Sequence, residues 1–325
     1  MEKLKVIATA SALPAQRVTN GDLALIMETS DEWIKTRTGI KERRISIAEN
    51  TAQLCTKVAT KLLAKGKLTA DQLDLIIVAT MSPDSNTPAT AAIVQGNIQA
   101  TNAFAFDISA ACSGFVYALK TATNFLKDEK IKNVMVIGGE VLSKLIDWND
   151  RTTAVLFGDG AAGVLLTAND SGSGVLGSDI KTFGESCEKL TAGTDQALAE
   201  FPPQSSKTLR SAFKMDGREV YNFATRQVPE SLKRACFDAR IKPEQVDLFL
   251  LHQANARIIQ SVAKKMDLPL AKFPTNIERY GNTSAASIPL LLDELVTQGL
   301  VVRGQIIAFS GFGGGLTLGT IILKY

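Results

Sequence analysis

The stretch LTADQLDLIIV at residues 68–78 decides the fold, because a close variant, IKPEQVDLFLL, recurs at residues 241–251. In each copy a helical segment ends, a short loop follows and a buried apolar strand begins. A second pair, FGDG at residues 157–160 and FGGG at residues 312–315, follows in the same order, each before a strand. Two matches in one order indicate a duplicated α/β unit, with a period far too long for a solenoid.

The boundary between the two copies is predicted in NDSGSG at residues 169–174, the most turn-rich stretch of the chain. This divides the chain into halves at residues 1–172 and 173–325. Within them, Leu75–Ala79, Phe104–Ile108 and residues 134–138 are predicted to be strands buried on both faces. Residues 115–126 have the pattern of an amphipathic helix, so the fold class is α/β. MEKLKVIA at residues 1–8 indicates a first strand rather than a signal peptide.

The composition excludes several classes of protein. Hydrophobic residues make up 45% of the 325 residues and charged residues 21%, which is ordinary for a globular chain. The net charge of +3, from 36 basic and 33 acidic residues, is too balanced for a nucleic-acid-binding protein. No apolar run approaches the roughly 18 residues of a membrane span. The four cysteines form no Cys-x-x-Cys pair, which argues against a zinc site or a disulfide framework and favours the cytoplasm.

The chain contains a single histidine, His252, directly after the second apolar run of the repeat. Sites that need more than one histidine, such as a three-histidine metal site or a His-His proton relay, are therefore excluded. Any imidazole chemistry near neutral pH must come from His252. A lone histidine is as often a packed core residue as a functional one. The neighbouring motifs therefore decide which role His252 has.

Cys112 lies in SAACSG at residues 109–114, between a predicted strand and a predicted helix. Unpaired backbone N–H groups at a helix N-terminus favour a thiolate and can receive an oxyanion, so Cys112 is a candidate nucleophile with a lowered pKa. The alternative is an inert buried cysteine, a description that fits Cys55 and Cys236 in their helical patterns. For Cys187, in a polar loop-like region, the sequence suggests no partner.

Two further motifs surround these residues in the C-terminal half. Asn282 lies in GNTS at residues 281–284, whose default role is to form a turn. Glycines cluster at residues 311–319 after a predicted strand, where they permit close approach of the backbone to a ligand. Because this cluster precedes a β-rich terminus and not a helix, it is no dinucleotide-binding fingerprint.

Together these segments closely resemble the β-ketoacyl-acyl carrier protein synthase III family, the initiating condensing enzymes of type II fatty-acid synthesis. The matching segments follow the family's order over nearly the whole chain: DEWIKTRTGI at 31–40, AACSGF at 110–115, FGDGA at 157–161, HQANARI at 252–258, GNTS at 281–284 and GGG at 313–315. The resemblance implies a thiolase-type fold, in which two similar α/β halves pack as alternating α-β-α-β-α layers. It also implies a homodimer.

The resemblance assigns a catalytic triad to Cys112, His252 and Asn282, with the backbone N–H groups of Cys112 and Gly314 as the oxyanion hole. It assigns the binding of coenzyme A to three further residues, Trp33, Arg37 and Arg151. An indole face stacks on a purine and guanidinium groups pair with phosphates, so these residue types suit the ligand. Their default interpretation is a partly buried tryptophan and surface arginines.

The implied reaction transfers an acyl group from a short acyl-CoA, acetyl-CoA in the first instance, to Cys112, and then joins it to the enolate formed from malonyl-acyl carrier protein. Coenzyme A enters as a thioester substrate, and no metal or redox cofactor is implied. The family often has an aromatic residue that reaches across the dimer into the acyl pocket. Thr87 occupies that position here, which leaves the preferred acyl chain open.

Residues 255–266 have the pattern of an amphipathic helix that begins just after His252. Arg257, Lys264 and Lys265 share its polar face and are candidates for docking the acidic carrier protein, although a few cations usually mean a solvated face.

Relatives of other classes fit less well. Elongating ketoacyl synthases use a second histidine, and thiolases use a second cysteine in the C-terminal glycine region. Polyketide-type ketosynthases with the same Cys-His-Asn triad remain the alternative. A catalytically silent carrier-protein-binding module would lack a triad residue, and all three are present.

Overall fold

The repeated segments of the sequence form equivalent strands in the computed structural model, which describes residues 2–168, 172–194 and 211–325. The strands are β1 (Glu2–Ala12), β2 (Arg17–Thr19), β3 (Glu42–Arg44), β4 (Leu75–Ala79), β5 (Phe104–Ile108), β6 (Asn133–Glu140), β7 (Gly160–Ala168), β8 (Gly174–Thr182), β9 (Leu190–Thr191), β10 (Lys214–Met215), β11 (Leu248–Leu251), β12 (Ile306–Gly313) and β13 (Thr317–Lys324). The helices are α1 (Asn20–Leu23), α2 (Asp31–Thr38), α3 (Thr51–Gly66), α4 (Thr90–Asn97), α5 (Gly114–Phe125), α6 (Arg151–Ala154), α7 (Gly217–Asp238), α8 (Ala256–Met266), α9 (Ile277–Tyr280) and α10 (Ser287–Thr297).

Nine of these strands form one sheet in the order β11-β12-β13-β8-β1-β7-β6-β4-β5. The sheet has two similar parts, and among the described residues they are joined where Glu2 and Lys3 of β1 pair with β8. In the first part β4 is parallel to β6, and β6, β7 and β1 follow antiparallel. In the second part β11 is parallel to β12, and β12, β13 and β8 follow antiparallel. The strand order therefore repeats, as the sequence repeat predicts.

Helices cover both faces of each part. The helices α5 and α10 contact strands of both parts and form the central layer. The helices α3 and α4 cover the outer face of the first part, and α7 covers that of the second, with α8 against it. Alternate residues of β4 follow this division, since Leu75 and Ile77 belong to the central core whereas Ile76 and Val78 belong to the core under α3. This is the alternating α-β-α-β-α arrangement that the resemblance implies.

One predicted strand environment is wrong. The strand β5 is not buried on both faces but lies at the end of the sheet, where its one partner within the described part of the chain is β4. Phe104 is 44% exposed and forms an aromatic cluster with Phe106 and Phe125. An edge position depends on the order of strands in the sheet, which the apolar run itself does not encode. The other two predicted strands, by contrast, are fully buried.

The predicted boundary turn lies partly outside the described residues, which resume at residue 172 after β7 ends at Ala168. The division at residue 172 stays a prediction. Among the described helices, none combines the length and apolar character that crossing a membrane requires.

Candidate active site

The N-termini of the two central helices meet at the site. Cys112 lies in a short 3-10 turn, Ala111–Ser113, that leads into α5, and the equivalent turn Ser284–Ala286 leads into α10. The two turns contact each other. Each contains a non-glycine residue in the left-handed region, Ala111 with φ 46° and Ser284 with φ 48°. Such strained residues persist where the surrounding structure holds them, and they are common at functional sites.

The structure brings Cys112, His252 and Asn282 together. All three line one cavity with an empty volume of ≈ 570 Å³, and each is at least 94% buried. The ring of Phe312 packs edge-on against the imidazole, with ring centroids 5.4 Å apart. The rest of the wall is mainly apolar: Leu156, Phe157, Leu190, Phe213, Met215, Gly217, Val220, Tyr221, Ala254, Asn255, Ile258 and Gly313.

His252 is held at both its backbone and its ring. Its backbone N–H donates to the carbonyl of Ser310 at 2.8 Å, and its ring Nδ1 is 2.7 Å from the hydroxyl of Ser287. Burial lowers the pKa of His252 to about 3, so the imidazole is neutral at physiological pH. Because Nδ1 is occupied by Ser287, Nε2 is the ring nitrogen left for a ligand.

Asn282 is fixed through a bridge between its own turn and the chain around Phe157. Its backbone N–H donates to Leu156, and its carbonyl accepts from Gly158, at 2.9 and 3.0 Å. The side-chain oxygen Oδ1 accepts a hydrogen bond of 2.8 Å from the backbone of Ser284. The amide Nδ2 is therefore the part of this side chain that can donate to a ligand.

The expectation of a lowered thiol pKa at Cys112 is wrong. Burial, with a smaller contribution from the buried carboxyl of Glu140, raises the pKa of Cys112 to about 12. The hydroxyl of Ser284 and the local backbone N–H act in the opposite direction but are weaker. The helix N-terminus was visible in the sequence, whereas the desolvation that outweighs it depends on the packing of both halves.

Gly313 passes unusually close to Cys112. A Cβ atom at this position would lie 2.6 Å from the backbone nitrogen of Cys112 and 3.1 Å from its Cβ atom. The strand end that contains Gly313 therefore approaches the cysteine as only a residue without a side chain can. The neighbouring Gly314 is less confined, since its Cβ atom would lie 3.2 Å from the carbonyl of Leu190.

The three residues assigned to coenzyme A lie together. The guanidinium carbons of Arg37 and Arg151 are 4.9 and 5.6 Å from the ring centroid of Trp33. Arg151 also donates to the backbone carbonyl of Glu28 at 2.9 Å. The cavity-lining Asn255 donates from Nδ2 to the backbone carbonyl of Arg37 at 3.1 Å, so this cluster adjoins the cavity.

The predicted amphipathic helix is present as α8, capped by Asn255. Arg257, Lys264 and Lys265 are exposed on its polar face, and Lys265 also donates to the backbone carbonyl of Thr225 in α7 at 3.0 Å. Thr87 is exposed in the loop before α4 and does not line the cavity of Cys112 within this chain.

Three residues at the site were missed by sequence reasoning: Ser287, Ser284 and Glu140. Two of them had a signal in the sequence. Ser284 belongs to the GNTS motif, and Glu140 is a charged residue at the end of the apolar strand β6. Ser287 had no such signal, because it lies 35 residues from His252. Among the described residues, no group of three or more His, Cys, Asp or Glu could hold a metal ion.

Comparisons with known proteins identify the family of the chain. Residues 106–184 match the family model 3-oxoacyl-[acyl-carrier-protein] synthase III, and residues 236–325 match the model of its C-terminal part. The chain is 56% identical to a β-ketoacyl-[acyl-carrier-protein] synthase III of Limosilactobacillus reuteri (strain DSM 20016), over 100% of both chains. It is 51% identical to that of Streptococcus pneumoniae (strain Hungary19A-6), over 98% of both.

Solved structures agree on the fold. The crystal structure of 3-oxoacyl-[acyl-carrier-protein] synthase III from Aquifex aeolicus VF5 superposes with a TM-score of 0.92 at 44% identity, covering 99% of this chain and 100% of that one. A priming β-ketosynthase of the R1128 polyketide pathway also superposes, with a TM-score of 0.91, but at 30% identity over 99% of this chain and 96% of that one. The polyketide alternative is therefore not favoured. The chain belongs to the β-ketoacyl-[acyl-carrier-protein] synthase III family, the acyltransferases that perform the initiating condensation of fatty-acid synthesis.

Proposed function

We propose that Cys112, His252 and Asn282 condense a short acyl-CoA, acetyl-CoA in the first instance, with malonyl-acyl carrier protein by decarboxylation. The observation that carries this assignment is their convergence in one buried cavity at the N-termini of the two central helices. A nucleophile, a neutral imidazole and a carboxamide in one buried site suit acyl transfer followed by enolate formation.

In the first half-reaction the sulfur of Cys112 attacks the thioester carbonyl of the acyl-CoA, and coenzyme A leaves. We assign the backbone N–H groups of Cys112 and Gly314 to the oxyanion of this step. The thiol must lose its proton as the carbon–sulfur bond forms, because burial keeps Cys112 protonated at neutral pH. The product is an acyl-cysteine.

In the second half-reaction malonyl-acyl carrier protein loses carbon dioxide and leaves an enolate at its thioester. We assign the hydroxyl of Ser287 as the donor to Nδ1 of His252, which places the ring hydrogen on Nε2. That Nε2–H and the Nδ2 amide of Asn282 donate to the enolate oxygen. The enolate carbon then attacks the acyl-cysteine, which releases the sulfur and forms 3-ketoacyl-acyl carrier protein. The reaction as written uses no metal or redox cofactor.

The cluster of Trp33, Arg37 and Arg151 is assigned to the nucleotide end of coenzyme A. Its two guanidinium groups already stand at the indole face, within 6 Å of the ring centroid. A purine can stack on an indole and a guanidinium can pair with phosphate oxygens. The hydrogen bond from Asn255 to Arg37 joins this cluster to the cavity that contains Cys112.

The carrier protein is assigned to the polar face of α8. Arg257 and Lys264 are exposed there, on the helix that follows His252 directly. Lys265 contributes its charge from a position bound to α7. A basic ridge beside the cavity would steer an acidic partner toward Cys112.

We further propose a homodimer formed through the edge strand β5, acting in the cytoplasm. The exposed aromatic side chain of Phe104 and the unpaired edge of this strand favour association with a second copy. In such a dimer Thr87 would contribute to the partner's acyl pocket. The four cysteines are all unpaired, which suits a reducing compartment. Neither a nucleic acid nor a membrane is among the proposed partners.

The test is acylation with radiolabelled acetyl-CoA, followed by digestion and location of the label. We expect the label on Cys112 and none in Cys112→Ser, because a serine hydroxyl has no comparable anionic form at neutral pH. Cys236→Ser, which alters another buried cysteine that does not line the cavity, is the matched control and should label normally. Absence of label on wild-type Cys112 would instead support the catalytically silent carrier-protein-binding module.

A further inference from the structure

The proposed reaction leaves one step without a residue, namely the removal of the proton from Cys112. His252 is poorly suited to accept it, because its burial disfavours the imidazolium and its Nδ1 is already bonded to Ser287. Asn282 has no basic atom. We therefore expect the proton acceptor to be a residue behind the cavity wall.

Glu140, the last residue of β6, is a buried carboxyl that could accept this proton. Its side chain is fully buried, and its hydrogen-bond partners among the described residues are neutral donors. The hydroxyls of Thr80 and Ser82 and the backbone N–H of Ser82 all donate to one oxygen, Oε2, at 2.5 to 3.1 Å. The other oxygen, Oε1, receives only the N–H of Met81, which it shares with Oε2, at 3.3 Å.

Ser284 stands between this carboxyl and the cysteine. Its Oγ is buried and has no hydrogen-bond partner among the described residues, and its turn, Ser284–Ala286, contacts both β6 and the turn that contains Cys112. The hydroxyl of Ser284 also lowers the pKa of both the thiol and the carboxyl. The turn that contains Ser284 packs directly on β6, since a Cβ atom at Gly138 would lie 2.2 Å from the carbonyl of Ala285. A buried hydroxyl without a partner, located between an acid and a thiol, is placed to pass a proton.

We propose that Glu140 is the proton acceptor for Cys112 and that the hydroxyl of Ser284 relays the proton. This rests on the proposed role of Cys112 as the nucleophile. During acylation the S–H bond breaks, the proton passes to Oγ of Ser284, and the hydroxyl proton of Ser284 passes to Oε1 of Glu140. Coenzyme A leaves as its thiolate and takes a proton from water. When condensation later breaks the bond between sulfur and the acyl carbon, the electron pair returns to sulfur, and Glu140 returns the proton by the same path.

The electrostatics of the pair support this cycle. Burial raises the pKa of Glu140 to about 7, so the carboxyl can take up and release a proton under physiological conditions. Titratable groups near it include Cys112 and the thiol of Cys55 in α3, which remains protonated in its fully buried position. Transfer within the pair leaves its total charge at −1, so no additional charge is buried when the thiolate forms. Glu140 reaches Cys112 through Ser284 and does not touch the substrate, so we class it as a positioning residue and not as a catalytic one.

The decisive test is the single-turnover rate of acyl-cysteine formation at about pH 8, where Glu140 is ionised in the resting protein. If the relay operates, Glu140→Gln slows acylation by about 10²-fold, and Ser284→Ala slows it equally. The double variant loses no more than either single variant, because both remove the same path. A buried negative charge that merely repels the thiolate predicts the opposite sign, since Glu140→Gln would then accelerate acylation.

A second readout establishes the coupling without using the acyl substrate. In the wild type, the rate of alkylation of Cys112 by iodoacetamide should rise with pH and level off near the pKa of Glu140. In Glu140→Gln the rate should rise by about tenfold per pH unit without this break in the profile. Asp159→Asn, which changes another buried carboxyl, is the matched control and should keep the break. Thermal melting of each variant shows whether it is folded, and Ser284→Ala tests the relay even if Glu140→Gln unfolds.

The outcomes separate the two proposals. Acylation that is faster in Glu140→Gln, or unchanged in Ser284→Ala, overturns the relay while the nucleophile assignment stands. Failure of wild-type Cys112 to take up the acyl label overturns the nucleophile assignment itself.

Discussion

Replacing Gly313 by alanine tests how the strand end of β12 supports the cysteine. The added Cβ atom would lie 2.6 Å from the backbone nitrogen of Cys112, 3.1 Å from its Cβ atom and 3.2 Å from that of Ala111. Heavy atoms in favourable contact are about 3.5 to 4.0 Å apart. The two segments must therefore separate by about 1 Å, and the closest atom is backbone, which cannot rotate away.

This separation should affect catalysis more than stability. Overpacking of this kind costs about 1–3 kcal/mol of folding free energy. The same displacement moves the backbone N–H of Cys112, which is assigned to the oxyanion, and a lost donor of this type costs about 3–4 kcal/mol in the transition state. The acylation rate of Gly313→Ala should therefore fall by about 10²- to 10³-fold.

The assay is single-turnover acylation by acetyl-CoA, with thermal melting of the same samples. Gly96→Ala, in the exposed part of α4, is the matched control because no heavy atom lies within 4 Å of its added Cβ atom. It should acylate normally and be slightly more stable, since alanine is favoured over glycine in a helix by up to about 1 kcal/mol. Gly314→Ala should lose less than Gly313→Ala, because its closest contact is 3.2 Å and its N–H is retained.

A Gly313→Ala variant that acylates within about threefold of the wild type would refute this reasoning. Such a result would mean that the segments separate without moving the N–H group of Cys112. An equal loss in Gly96→Ala would show that the assay reports general damage to the protein.

Four further outcomes are expected. His252→Ala and Asn282→Ala should impair decarboxylation of malonyl-acyl carrier protein by about 10²-fold or more, and acylation much less, because both donors are assigned to the enolate; equal losses in both half-reactions would contradict this. Reversal of Arg257 and Lys264 to glutamate should raise KM for the carrier-protein substrate about tenfold at low salt, while acylation by acetyl-CoA and the high-salt kinetics change little. Arg151→Gln should raise KM for acetyl-CoA about tenfold at unchanged kcat, and an unchanged KM would place the nucleotide elsewhere. Burial lowers the pKa of His252 from 6.5 to about 3, so as the pH falls from 6.5 the unfolded chain binds a proton that the folded protein does not. The free energy of unfolding of His252→Gln, relative to that of the wild type, should therefore increase by up to about 1.4 kcal/mol for each pH unit by which the pH falls below 6.5.

Much of the fold was predictable from local pattern. The repeat at residues 68–78 and 241–251 becomes β4 and β11, each parallel to its neighbour in an equivalent half. Strand and helix formation depends on residue spacing over a few positions, which a single sequence displays directly. The position of Cys112 between a strand and a helix is also local, since the small residues that form its turn are adjacent to it.

The environment of the strands and of the site was decided by tertiary structure. The apolar run Phe104–Ile108 resembles Leu75–Ala79, yet one is an edge strand and the other is fully buried. Strand order results from chain connections far from either run, so equal local patterns can have different neighbours.

The chemistry of the cysteine shows the same distinction most clearly. The sequence by itself determined that Cys112 stands at a helix N-terminus, where a thiolate is favoured. Only the tertiary structure buried it and placed the carboxyl of Glu140 behind it, and these two effects outweigh the hydroxyl of Ser284 and raise its pKa to about 12. Desolvation depends on every segment that surrounds an atom, whereas a helix terminus depends on its own few residues, so the nucleophile could be recognised from sequence but its protonation state could not.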